Sequence, residues 1–132
     1  MRYLLDTHTF IWAISDKEKL SLDTNQILNN TKNSIFVSAV TFWEISLKLS
    51  INKLKASGDL DTDLPKTCVK MGFQLLPLSA EEGATFYHLP ITDHKDPFDR
   101  MLIWQAIQRD LIFITKDRSI DQYQSAGLKT YW

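Results

Sequence analysis

Little in this chain points to a covalent framework. It has one cysteine, Cys68, which can neither close an intramolecular disulfide nor make a thiolate metal site alone, so nothing implies an oxidising compartment. Long apolar runs are missing as well. No stretch approaches the roughly 20 residues needed to cross a bilayer, and Met1-Arg2-Tyr3-Leu4-Leu5-Asp6 turns polar too soon for a secretory leader. A cytoplasmic protein with no membrane partner is the expectation. Charge of one sign is also lacking: 15 Lys and Arg face 16 Asp and Glu, for a net charge of −1. That balance argues against a protein holding nucleic acid by a broad basic surface, which depends on many phosphate neutralisations. It leaves a nuclease open, because bound divalent cations reverse the sign of an acidic pocket and a few placed Lys and Arg can hold flanking phosphates. Internal repeats, low-complexity tracts and domain linkers are absent.

What is present suits one compact domain over residues 1–132, within the usual span of about 100–150 residues. Seven Phe, four Trp and four Tyr supply bulky core material, which excludes disorder throughout. Apolar periodicity and turn chemistry predict strands at 3–5, 35–38, 73–78, 111–115 and 128–132. Helices are expected around 10–14, after a cap at Ser21 or Asp23, from Val40 for about four turns, around Lys66–Met71, after Ser79, and from Asp96-Pro97, where Asp caps and Pro takes the first helical position. Trp43, Leu47, Ile51 and Leu54 share one side of the third helix, with Glu44 beside them. Lys55–Leu64 reads as an exposed connection. Alternating strands and helices predict a parallel or mostly parallel sheet covered on both faces.

Four acids, Asp6, Glu44, Asp99 and Asp117, lie far apart in the chain, yet each follows a predicted strand or sits in the first turns of a predicted helix. In open α/β sheets ligands collect outside the carboxyl ends of the strands, so these residues can share one crevice. Clustered carboxylates repel unless hard cations bridge them. Mg²⁺ or Mn²⁺ prefers oxygen ligands and suits phosphodiester hydrolysis without a covalent nucleophile. Each acid also has a local structural explanation. Thr41–Glu44 matches a capping box, and Glu44 with Lys48 forms an ordinary i,i+4 pair. Asp6, Asp96 and Asp117 can cap helices, and Asp99 favours a helix N-terminus. Four unrelated caps, however, need not share one edge of a sheet.

The segments Leu4-Leu5-Asp6-Thr7-His8, Ser38-Ala39-Val40-Thr41-Phe42-Trp43-Glu44-Ile45, His94-Lys95-Asp96-Pro97-Phe98-Asp99-Arg100-Met101-Leu102-Ile103 and Ile114-Thr115-Lys116-Asp117 together resemble the PIN-domain family, particularly its VapC-like toxins. The third segment is the most specific, and the four cover nearly the whole chain. The resemblance implies a PIN-like three-layer α/β/α sandwich and a Mg²⁺- or Mn²⁺-dependent endoribonuclease acting on RNA. It also implies a small cognate antitoxin that inserts into the active groove, and a homodimer. By the same resemblance Asp6, Glu44, Asp99 and Asp117 are the catalytic, metal-holding acids, and Asp121 or Asp96 can share the fourth role.

Thr7 and Thr115 are accessory candidates that also read as helix-start or loop caps. Lys48, Arg100, Lys116 and Arg118 are candidate phosphate contacts whose alternative is solvated surface charge. His8, His88 and His94 lack the spacing of a zinc site or a His-based general base and are left out of the mechanism. Two rival functions remain. One is a catalytically silent PIN-like RNA-binding or assembly module. The other is a phospho-receiver domain, which fits poorly because Asp6 stands alone and the second strand ends at Ser38.

Overall fold

In the computed structural model the described residues are 1–54 and 63–132, so most of the connection expected at Lys55–Leu64 lies outside them. Five strands, β1 (Arg2–Leu5), β2 (Ser34–Ser38), β3 (Gln74–Leu76), β4 (Ile112–Ile114) and β5 (Lys129–Tyr131), form one sheet in the order β3-β2-β1-β4-β5. Every pairing is parallel, with Leu4 opposite Phe36 on one side and Phe113 on the other. The expectation of a mostly parallel sheet thus resolves to a wholly parallel one among the described residues.

Strand periodicity of two divides the core into two layers. Leu4 and Phe113 point to one side, packing with Leu102, Ile103 and Ala106 of α6 (Pro97–Arg109) and with Leu89. Tyr3, Leu5, Ile35, Val37 and Ile114 point to the other. There they meet Phe10 and Ala13 of α1 (Thr7–Ser15), Ile27 and Leu28 of α2 (Leu22–Asn29) and Cys68 of α4 (Leu64–Lys70). α3 (Ala39–Ser50) contributes Val40 to the first core and Ile45 to the second. The short α5 (Ala80–Thr85) stands beside α6, completing an α/β/α sandwich. No helix among the described residues is long and apolar enough to cross a membrane.

Helix starts follow local chemistry. Asp6, Ser21, Ser38, Asp63, Ser79 and Asp96 all cap through their side chains, each accepting a backbone N–H that the helix cannot satisfy itself. Two expectations for α3 are corrected. Its cap is Ser38, so Thr41–Glu44 is no capping box; the true box is Ser79 with Glu82. The predicted stripe is also largely outward. Trp43, Leu47 and Ile51 are exposed, while Val40, Thr41, Glu44 and Ile45 form the buried side. A three-or-four spacing identifies a face, and it does not say whether that face is the inner one.

Candidate active site

Because β1 continues to β2 on one side and pairs with β4 on the other, the strand order reverses between β1 and β4. That is where a parallel sheet opens a crevice at its carboxyl edge. Asp6 leaves β1 there, its backbone N–H bonded to the Ile114 carbonyl at 3.1 Å, and Thr115, Lys116 and Asp117 leave β4 beside it. A cavity of about 340 Å³ is lined by Asp6, His8, Trp12, Lys116 and Asp117.

Asp6 is buried, and its Oδ1 accepts the Thr9 N–H at 2.7 Å as the cap of α1. Burial pushes its carboxyl pKa up, against the lowering effect of hydrogen bonds from Thr115 and Thr9 and of the nearby His8. Thr115 thus bears on Asp6 directly and also receives the Asp117 N–H at 3.1 Å. The next residue, Thr7, donates its hydroxyl proton to Glu44 Oε1 at 2.6 Å. A hydroxyl has one proton, so at the 3.1 Å contact between Thr7 and Thr41 it is Thr41 that donates. Glu44 itself is 2% exposed and also takes the Lys48 ammonium. Burial opposes the charge on Lys48, yet Glu44 beside it, with Asp96 and Asp99 farther away, holds its pKa above the ordinary value. The i,i+4 pair is therefore real and belongs to the site.

Asp99 lies in the first turn of α6, its N–H bonded to the capping Asp96 Oδ1 at 3.0 Å. Its carboxyl is pushed up to about 6, first by burial and then by the like charge of Asp96, with Glu44 and Asp6 adding to the repulsion and a hydrogen bond from His94 opposing it. One carboxyl thus senses three others drawn from three separate parts of the chain. Asp117 is held below its usual range. The Ser119 hydroxyl at 2.6 Å is the largest cause, aided by the Ser119 N–H, His94 and Arg118, while burial opposes.

His94, which its spacing had set aside, joins these groups. Its Nε2 is 3.1 Å from Asp99 Oδ2 and its Nδ1 is 3.3 Å from the Ser119 hydroxyl. His94, Asp99 and Asp117 each offer a ligand atom within 4.8 Å of the others. The signal for it in the sequence was its place two residues before the capping Asp96, which sets it at the mouth of α6 without any His-to-His spacing.

The remaining candidates separate clearly. Asp121 is tied to β5, where its Oδ1 accepts from Thr130 at 2.8 Å and its Oδ2 lies 3.5 Å from Arg118. Arg100, expected to contact phosphate, spends its donors on structure. It reaches the Leu89 and Pro90 carbonyls at 3.3 and 3.1 Å and the Tyr123 hydroxyl at 3.3 Å, and lies over the Phe86 ring. Arg118 likewise binds the Thr115 carbonyl. Lys48 and Lys116 are the two of these four cations that line cavities beside the acids.

The donor set suits a divalent cation. Burial, and after it the like charge of neighbouring carboxylates, raises Asp99, and oxygen donors joined by one imidazole suit Mg²⁺ or Mn²⁺. Comparison with known proteins bears on the family and the fold. A relative, the ribonuclease VapC22 of Mycobacterium tuberculosis, is 22% identical over 129 residues, spanning 98% of this chain and 97% of its own. Among solved structures, VapBC2 of Rickettsia felis bound to a promoter DNA fragment superposes with a TM-score of 0.67 at 18% identity, covering 99% of this chain and 98% of that one. FitAcB of Neisseria gonorrhoeae superposes with a TM-score of 0.65 at 18% identity, covering 100% and 97%. The PIN domain family model matches residues 3–125, from the first strand through the segment after Asp117, and the chain belongs to that family.

Proposed function

We propose that the protein is a metal-dependent endoribonuclease that hydrolyses RNA phosphodiester bonds and serves as the toxin of a toxin–antitoxin pair. The observation that carries this reading is the gathering of Asp6, Glu44, Asp96, Asp99, Asp117 and His94 at the carboxyl edge of a PIN-domain sheet. Asp6, Glu44, Asp99 and Asp117 are the acids assigned to hold Mg²⁺ or Mn²⁺, with His94 completing the set beside Asp99 and Asp117. When bound, the cation supplies Lewis-acid activation of water and stabilises charge on the leaving oxygen. The chain's own groups prepare that chemistry. The Thr41–Thr7–Glu44 relay fixes one carboxylate, Thr115 and Thr9 fix Asp6, and Ser119 keeps Asp117 ionised. Lys48 balances the charge of Glu44 from the adjoining cavity, while Lys116 lines the acidic one and can meet a flanking phosphate.

The proposed partner is a small cognate antitoxin, supported by similarity in fold to toxin–antitoxin complexes. A homodimer and a cytoplasmic location are proposed with it. The deciding experiment is cleavage of a pool of structured RNAs with Mg²⁺, with Mn²⁺ and with chelator, comparing the protein with Asp99→Asn. Metal-dependent cutting that drops at least about 100-fold in the variant is expected. Equal cutting by both proteins, or none by either, would overturn the assignment.

A further inference from the structure

The ribonuclease reading leaves one feature of the crevice unused. Trp12, on the first helix, is half-buried and stands between two adjoining cavities. One is the acidic cavity already described. The other, of about 500 Å³, runs from Thr7 and His8 towards Lys19, Lys48 and Lys53. His8 and Trp12 line both, so they form the wall that the two share. Each is within the volume range of pockets that hold nucleotide-sized ligands, roughly 300–1,000 Å³.

The Trp12 ring packs on the margin of the core, and its outer neighbours are polar. The Lys116 ammonium lies 5.9 Å from its centroid and the Lys19 ammonium 6.0 Å. The His8 ring is tilted against it at 5.8 Å, and the Trp132 ring meets it edge-on at 6.0 Å. Trp132 therefore braces the indole, while the other three neighbours are polar groups on exposed side chains. An ammonium over an indole face is a modest attraction in water. A nucleotide satisfies all of these groups together, because its base can take the π-face while its phosphates take the displaced ammonium groups. Among the described residues lining the second cavity three lysines face one acid, Asp16, which lies 3.8 Å from Lys19, while Lys48 is held by Glu44. A polyanion leaving the acidic centre past Trp12 would meet Lys116 and then Lys19 beside the ring.

We infer that Trp12, with His8, Lys19 and Lys116, forms a stacking subsite for one nucleobase beside the bond to be cut. A base paired within a duplex cannot present its face to an indole. This inference rests on the ribonuclease reading for its substrate and is tested separately from it, by binding.

The experiment measures affinity in chelator by fluorescence anisotropy, using a labelled single-stranded RNA octamer of mixed sequence and the same octamer annealed to its complement. Trp12→Ala is expected to weaken single-strand binding roughly tenfold or more, Trp12→Phe to retain most of it, and the duplex to bind more weakly whichever residue is present. Lys19→Ala and Lys116→Ala, both on exposed side chains, are expected to leave the fold intact and each to lower the salt dependence by about one counterion. Thermal unfolding of each variant keeps a folding defect apart from a binding defect. Single-strand binding indifferent to Trp12, Lys19 and Lys116 would overturn the subsite, as would a duplex that binds equally well. RNA cutting by the wild type together with Trp12-independent binding would retain the ribonuclease and discard the subsite. Trp12-dependent binding without any cutting would do the reverse.

Discussion

At the residue scale the site is built from carboxylates that serve two purposes at once. Asp6, Asp96 and Asp117 each cap a helix or 3-10 turn, and the same positions bring them to the crevice. Capping and a place in the crevice are not alternatives here, because a helix that begins at the carboxyl edge of the sheet places its cap there. Asp99 carries the cost of its burial and, after that, of its neighbours' like charge. Its pKa, raised to about 6 from 3.8, means that the folded chain keeps the proton through a pH window in which the unfolded chain has lost it. Stability from this group therefore falls as pH rises from about 4 to about 6 and stays lower above that window. Asp99→Asn is expected to raise the thermal midpoint at pH 7 without divalent cation by roughly 5 °C, on the order of 1–3 kcal/mol. The gain should vanish below pH 4. An unchanged or lower midpoint at pH 7 would contradict the unfavourable ionisation of Asp99 in the folded chain. Glu44 offers a second check. Thr7→Val removes the hydroxyl that holds its Oε1 and leaves buried oxygen unpaired, for a loss of about 1–3 kcal/mol measured by denaturant unfolding.

At the scale of elements, what orients α6 is a buried polar chain that runs away from the crevice. Ser38, at the end of β2, donates to Gln105 Oε1 at 2.5 Å. Gln105 Nε2 donates to the Pro77 carbonyl and to Glu82 at 3.1 Å, and Arg109 closes the chain on Glu82 at 2.7 Å. Glu82 also completes its capping box with Ser79. Burial works against the Glu82 carboxylate, but Arg109, the Ser79 N–H and Gln105 outweigh it and hold its pKa at about 2. A depressed carboxyl contributes stability that is complete above its ordinary value near 4.5 and is lost as pH falls towards about 2. Glu82→Gln should cost on the order of 3 kcal/mol at pH 7, and the gap to wild type should close between pH 5 and 2. A pH-independent gap in urea midpoints would show that the pair adds only packing. Since α6 carries Asp99 at its other end, the variant also tests whether this chain holds the site in register.

For the whole molecule, a cation that binds the folded chain and not the unfolded one must raise its stability. At about 100 times the dissociation constant the gain is about 2.7 kcal/mol, so millimolar Mn²⁺ should lift the thermal midpoint by several degrees and chelator should reverse it. In Asp99→Asn the shift should largely disappear. A metal-induced shift of equal size in both proteins would place the cation elsewhere.

Much of this architecture is legible in one dimension because its causes are local. Ser21, Ser79 and Asp96 announce their helices, since a cap needs only the next three residues. The apolar runs at 3–5 and 111–115 announce buried strands, and the spacing of Asp6, Glu44, Asp99 and Asp117 against those elements announces an acidic edge. Tertiary structure decided what depends on distant partners. It turned Trp43, Leu47 and Ile51 outward and Glu44 inward, because a helical face is buried only if something packs on it. It drew Arg100 and Arg118 away into carbonyl contacts and brought His94 to Asp99, since a flexible side chain goes where its donors or acceptors are met. Periodicity and capping fix the elements, and only the packed sheet edge determines which charges must face one another.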